Sequence, residues 1–89
     1  MVDEKILEKV LKALANRRRL LILKYLKRSR EASVGDIAGE IRLSLKATSK
    51  HLSVLSGAGI VDREQKSTQM FYSLVPQMPE SARRIVALL

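Results

Sequence analysis

From Ile6 to Leu14 the chain repeats aliphatic residues at helical spacing. Ile6, Leu7, Val10, Leu11 and Leu14 form one stripe, with Lys and Glu filling the other side. The spacing predicts a first helix over about residues 3–15. Asn16 then serves as its stop and as the N-cap of the next helix, since its short side chain can accept an orphan backbone amide. The second helix is predicted through RRRLLILKYLKR, with Leu20, Leu23 and Leu26 facing inward. Ser33 is placed to cap a short third helix, VGDIAGEI, which buries Val34, Ile37, Ala38 and Ile41. Asp36 in its first turn suits the helix dipole. After a break at RLS, Ser44 caps a fourth helix whose inward row is Thr48, Leu52 and Leu55. Gly57 and Gly59 offer the left-handed backbone that stops it.

Beyond Gly59 the pattern changes to alternation. IVDREQ and QMFYSLV are strand-like segments on either side of the polar tip KST, and Pro76 and Pro79 punctuate the exit. ESARRIVALL reads as a last helix, over about residues 79–89. Tyr72 and Phe71 are expected to pack on the sheet. The chain thus reads as one domain over residues 1–89, mainly α with a small β-hairpin. Two short helices joined by a tight break and followed by a hairpin is the layout of a winged helix-turn-helix, here about five helices plus a two-stranded wing.

The fourth helix carries a second row opposite its apolar one: Lys46, Ser49, Lys50 and Ser53, short or basic, with no carboxylate among them. Composition says what such a face meets. The net charge is +8 and the pI about 10.3 in 89 residues, so a polyanion is the first partner to consider, nucleic acid before others. The alternative for that surplus is a Lys/Arg-rich surface with no partner. Aromatics are too few, at 3%, to build a base-stacking platform. A helix that approaches base edges closely needs small side chains near its start, which Ala47 and Ser49 supply, while Lys46 and Lys50 reach guanine acceptors or phosphates. Lys46, Ala47, Ser49 and Lys50 are therefore the expected base-facing set. Arg17, Arg18 and Arg19 crowd the start of the second helix, against its dipole, and phosphate contact is the compensation expected there. Lys24, Lys27, Arg28 and Arg30 read as ordinary surface charge.

Other chemistries recede. There is no cysteine, which excludes disulfides, zinc ribbons and thiol catalysis. His51 is the one histidine; it has neither an oriented third group for a catalytic dyad nor partners for a metal, and reads as a half-buried support of the fourth helix. No enzyme activity, cofactor or metal is expected. The N-terminal stretch MVDEKILEKVLKALANRRR has no continuous apolar run, so neither a signal peptide nor a membrane span is read there, and a cytoplasmic protein is expected.

The first stripe has a counterpart in RRIVALL, with Ile85, Val86, Leu88 and Leu89. Little chain remains to cover both terminal helices, and large exposed apolar patches mark interfaces. Ile6, Leu7, Val10, Leu11, Leu14, Ile85, Val86, Leu88 and Leu89 are therefore expected to form a homodimer interface, the alternative being closure of these helices as core within one subunit. Such a dimer sets two recognition helices about 34 Å apart, one DNA turn, on a pseudo-palindromic site.

LKALANRRRLLIL, EASVGDIAGEI, LSLKATSKHLSVLSGAGIV and MFYSL together resemble the ArsR (arsenical-resistance repressor) family of winged-helix regulators, from about Leu11 to Leu74. The resemblance implies a homodimer that binds double-stranded operator DNA, typically as a repressor released by an effector, with no indication here of which. The family's recognition-helix pattern falls on Ser44, Ser49, His51, Leu52 and Leu55, and its second-helix arginine on Arg19. Ser44, Arg18, Arg19, Arg63 and Lys66 are the expected phosphate contacts. Metal sensors of the family carry two thiolates at the third helix; Ser33 and Gly35 stand there instead. The family's other metal site uses Asp, His and Glu on the last helix, and PESARRIVALL has no His. Sensing through those sites is not expected. The wing departs too: Asp62 and Glu64 replace positions often basic in relatives, and Ser67 replaces a common tip glycine. The expected function is that of a sequence-specific DNA-binding transcriptional repressor. Its rivals are a sequence-tolerant architectural DNA binder and a protein-interaction winged-helix module.

Overall fold

The computed structural model describes residues 3–89. Its order is α1 (Glu4–Leu14), α2 (Arg17–Ser29), β1 (Glu31–Ser33), α3 (Val34–Ile41), α4 (Leu45–Gly57), β2 (Val61–Lys66), β3 (Gln69–Leu74) and α5 (Glu80–Val86). The helix starts lie where the capping residues put them. Asn16 Oδ1 accepts from the Arg19 amide at 3.1 Å, Ser33 Oγ from Asp36 at 3.1 Å and Ser44 Oγ from Ala47 at 3.1 Å. At the end of α4, Ile60 N donates to the Leu55 carbonyl around Gly59, whose φ is +74°. That is a Schellman closure, and it needs a left-handed residue at one position. Gly57, expected to share that task, is instead the last residue of α4 itself.

The hairpin is antiparallel, from Val61 opposite Leu74 to Lys66 opposite Gln69. Its loop is two residues long, and Ser67 takes φ +59° where glycine is ordinarily favoured. The wing gains a third strand that sequence patterning missed. β1 pairs with β3, Ala32 opposite Tyr72, so the sheet order is β1-β3-β2. Three residues are too few to show alternation, and Ser33 runs directly into α3.

One core unites the elements. Ile22, Leu23 and Leu26 of α2 meet Ile37 of α3, Leu52 and Leu55 of α4, Ile60, Val61 and the Tyr72 ring. On α2 the buried set is Ile22, Leu23 and Leu26, while Leu20 stays half-buried, as does Val34 on α3. The terminal helices close over this core from one side, α1 through Val10, Ala13 and Leu14 and α5 through Ala82 and Val86. This corrects part of the expected interface. Val10, Leu14 and Val86 are buried within a single chain because α1 and α5 pack on α2 and on each other. Ile6 (55% exposed), Leu11 (46%) and Leu88 (83%) keep open surface, with Leu7, Ile85 and Leu89 partly covered.

Two basic side chains finish helix ends across the fold. Lys27 Nζ donates to the carbonyls of Val86, Ala87 and Leu89 at 3.3, 3.2 and 2.8 Å, so it secures the end of α5 rather than serving as plain surface charge. Arg19 does the same for α1, and it leads into the functional face.

Candidate nucleic-acid interface

α3 and α4 form the helix-turn-helix pair, joined through Arg42 and Leu43. Arg42 is left-handed (φ +56°, ψ +53°), and Leu43 N donates back to the Ala38 carbonyl at 3.0 Å, so a tight break replaces a longer loop. α4 buries Thr48, Leu52 and Leu55 and turns Lys46, Ser49, Lys50 and Ser53 to solvent. Ala47 sits half-buried on the flank, with its amide already used by the Ser44 cap. Neither Lys46 nor Lys50 is ion-paired among the described residues. One exposed residue of this end escaped the sequence reading: Leu45, 57% exposed at the first helical position. Its only signal was negative, since it falls outside the Thr48–Leu52–Leu55 row.

Charge at the helix starts separates the helices by role. α1, α3 and α5 begin with Glu4, Asp36 and Glu80, whereas α2 and α4 have no acid in the first turn. A helix start with its positive dipole end unneutralised attracts anions, and basic side chains around it add to the field. The first turn of α2 lies beside the middle of α4. Arg19 Nη1 lies 3.2 Å from His51 Nδ1 on α4, and Arg18 acts electrostatically on the same imidazole. Arg18 is exposed, so its cation adds to the α4 side.

Arg19 itself is turned inward. Its Nε donates to the Ala13 carbonyl at 2.6 Å, its Nη2 to the Lys12 carbonyl at 3.0 Å and its Nη1 to His51 Nδ1. The Leu11 and Leu14 carbonyls receive the Ala15 and Asn16 amides, so all four terminal carbonyls of α1 are satisfied. An arginine expected to reach phosphate is thereby committed to the scaffold. Because a guanidinium only donates, Nδ1 of His51 is the acceptor and the imidazole proton sits on Nε2. Partial burial, then Arg19, then Arg18 hold the His51 pKa below its ordinary value.

The wing also redistributes its cations. Lys66 Nζ lies 2.9 Å from both carboxylate oxygens of Glu31 on β1 and over the Phe71 ring at 5.4 Å. The bond to Glu31 raises the Lys66 pKa. Arg63 is exposed and borders a shallow cleft with Ser53, Ser56 and Gly57 of α4. Of the two wing cations, Arg63 is the one beside the recognition helix. Phe71 is half-buried and Tyr72 buried, both packed in the sheet.

At the position of the family's sensor thiolates, the Ser33 hydroxyl is buried and occupied as the α3 cap. No group of three or more His, Cys, Asp or Glu among the described residues is placed to hold a metal. Among the described residues, no helix is long and apolar enough to cross a membrane.

A supporting helix, a tight break, an exposed basic second helix and a three-stranded wing define a winged helix-turn-helix. Residues 16–63 match the model of the bacterial regulatory protein, arsR family, and the chain belongs to that family. It is 42% identical over 65 residues to the transcriptional activator HlyU of Vibrio cholerae, covering 73% of this chain and 59% of that protein. A biofilm growth-associated repressor of Agrobacterium fabrum is 37% identical over 79 residues, covering 89% and 65%. The chain thus spans roughly three-fifths of the length of these relatives. The reduced HlyU structure superposes with a TM-score of 0.81 at 34% identity, covering 97% of this chain and 86% of that one. The homodimeric winged helix-turn-helix DNA-binding domain of a possible ArsR-family regulator from Mycobacterium bovis gives 0.81 at 33%, covering 96% and 75%.

Proposed function

We propose that this chain is a cytoplasmic, sequence-specific transcriptional regulator that binds double-stranded DNA as a homodimer and acts as a repressor, with no catalytic role. The observation that carries the reading is the exposed row Lys46, Ser49, Lys50 and Ser53 on the second helix of the helix-turn-helix pair, basic and unpaired. In the groove, Lys46 and Lys50 take guanine acceptors or backbone oxygens, Ser49 a base edge, and Ala47 permits the approach. Leu45 adds an apolar contact of the kind that reads a thymine methyl. Arg18 and Arg63 hold phosphates on either side, and the start of α4 at Ser44 offers amides to a third. Lys66 is a secondary contact, since a phosphate must compete with Glu31 for it. Ile6, Leu7, Leu11, Ile85, Leu88 and Leu89 carry the contact between copies, a reading supported by the homodimeric description of the Mycobacterium bovis domain. Signal sensing, if the chain has a signal, does not run through the family's cysteine or last-helix sites.

The test is a fluorescence-anisotropy titration against the DNA upstream of its own gene and against a random duplex, across a salt series. A preference for the upstream DNA that survives moderate salt is the expected result. Equal, steeply salt-sensitive binding to both points instead to the architectural reading, and no binding at low salt to the protein-interaction one.

A further inference from the structure

We propose that Arg19 is a positioning residue for the recognition helix: it ties α4 to the end of α1 through neutral His51, so that DNA binding weakens when His51 takes a proton. This rests on the DNA-binding reading above and adds to it a control that acts from behind the DNA-facing row.

The geometry is asymmetric. Arg19 holds α1 with two bonds, to the carbonyls of Lys12 and Ala13, and holds α4 with one, to His51 Nδ1. Its own amide is fixed by the Asn16 cap. The guanidinium is therefore anchored to the α1–α2 corner, and the His51 side chain is the partner that gives way. His51 lies one residue from Lys50 and two from Ser49, so a displacement of the imidazole is passed to the residues proposed to meet bases. The bond exists only while Nδ1 has a lone pair. Protonation puts a hydrogen on both ring nitrogens, and the guanidinium cannot release one of its own. Two cations then face each other at a distance that held a hydrogen bond of 3.2 Å, and the imidazole must swing away from Arg19.

The surroundings offer no relief. α2 presents Arg18 and Arg19, both of which disfavour the charged imidazole. On α1 the acid next to Lys12 is Glu8, which pairs with Lys12 itself. On α3, Glu40 pairs with Arg28, and neither it nor Asp36 pairs with His51. On β2, neither Asp62 nor Glu64 forms an ion pair with it, and Arg63 is a further cation. Lys46 and Lys50 complete the positive setting on α4 itself. Burial first, then Arg19 and Arg18, hold the His51 pKa below its ordinary value.

The inference makes a prediction of unusual sign. A histidine that merely lies near phosphates gains charge on acidification and binds DNA more tightly. The Arg19 clamp demands the reverse. Anisotropy with the upstream duplex at constant ionic strength should show affinity falling from pH 7.5 to pH 5.5, by no more than about tenfold for a single titrating imidazole. His51→Asn sets a carbonyl oxygen where Nδ1 accepts from Arg19 and cannot titrate; it should lose the pH dependence. NMR titration of the imidazole protons in the free protein gives an independent readout, because His51 is the only histidine in the chain. Its pKa should lie below 6.5 and rise toward that value in Arg19→Met. Affinity that is flat or tighter at pH 5.5, or an imidazole titrating at or above 6.5, overturns this inference alone. Failure to bind either duplex at pH 7.5 and low salt overturns the DNA-binding reading and the inference with it.

Discussion

Four residues show how local chemistry decides a role. Thr48 is fully buried at the end of the first turn of α4, and its hydroxyl has no hydrogen-bond partner among the described residues. A buried unsatisfied hydroxyl is costly, whereas the same shape without it is not. Thr48→Val should therefore raise stability by about 1 kcal/mol, read as a higher urea midpoint with an unchanged slope. Lys66 and Arg63 differ in a similar way. Lys66 is engaged by Glu31, while Arg63 is exposed beside α4. Arg63→Ala should weaken specific and random DNA alike and reduce the salt slope by about 0.9, with Lys66→Ala the milder of the two. A larger loss from Lys66→Ala would reverse that order. For His51 the folded state disfavours the proton that the unfolded chain accepts near pH 6.5. Its contribution to stability is thus complete above about pH 6.5 and declines as the pH drops toward the lower folded-state pKa. Urea midpoints of the parent and His51→Asn, compared between pH 7.5 and 5.5, should diverge only on the acid side.

At the scale of elements, what the sequence announces is what short-range chemistry controls. Asn16, Ser33 and Ser44 each cap an amide three residues ahead, and the apolar rows of α3 and α4 follow from their period alone. The roles of Arg19 and Lys27 were hidden because their acceptors come from other elements, up to 62 positions away in the chain. The same holds for the Lys66–Glu31 pair, which needs β1 to lie beside β3. The basic face of α4 was legible from spacing, and the inward turn of Arg19 was not. Arg42 exposes a remaining local conflict. It adopts the left-handed backbone at the end of α3 that Gly59 adopts after α4, and a side chain there is strained. Arg42→Gly should stabilise the fold by roughly 0.5–1 kcal/mol, the relief of strain exceeding glycine's added freedom when unfolded. Thermal or urea unfolding measures it, and a loss of stability would mean that the Arg42 side chain makes a contact worth more than the strain.

At the scale of the molecule, the proposed choice of one DNA site asks how a chain of this size gathers enough contacts for it. One copy presents Lys46, Lys50, Arg18 and Arg63 around a single helix, a small footprint, and each phosphate neutralised contributes about 0.9 to the log–log salt slope. Two copies related by a twofold axis double that footprint and tie it to a spacing of about one DNA turn. The remaining apolar surface of the terminal helices is suited to this. Ile6 and Leu7 line a groove of about 560 Å3 with Pro79 and the start of α5, and Leu11 on α1 and Leu88 just past α5 are exposed apolar residues as well. Ile6 is 55% exposed and outside the buried core, so a charge placed there spares the fold of one chain while opposing contact between two. Ile6→Glu should then sediment as a monomer at concentrations where the parent is a dimer, with an unfolding midpoint close to the parent's. It should bind a single half-site as the parent does, lose affinity for the full upstream duplex, and show about half the salt slope on it. A monomeric variant that still bound the full duplex with undiminished affinity and slope would mean that one copy suffices. A variant that stayed dimeric would move the contact between copies away from this groove.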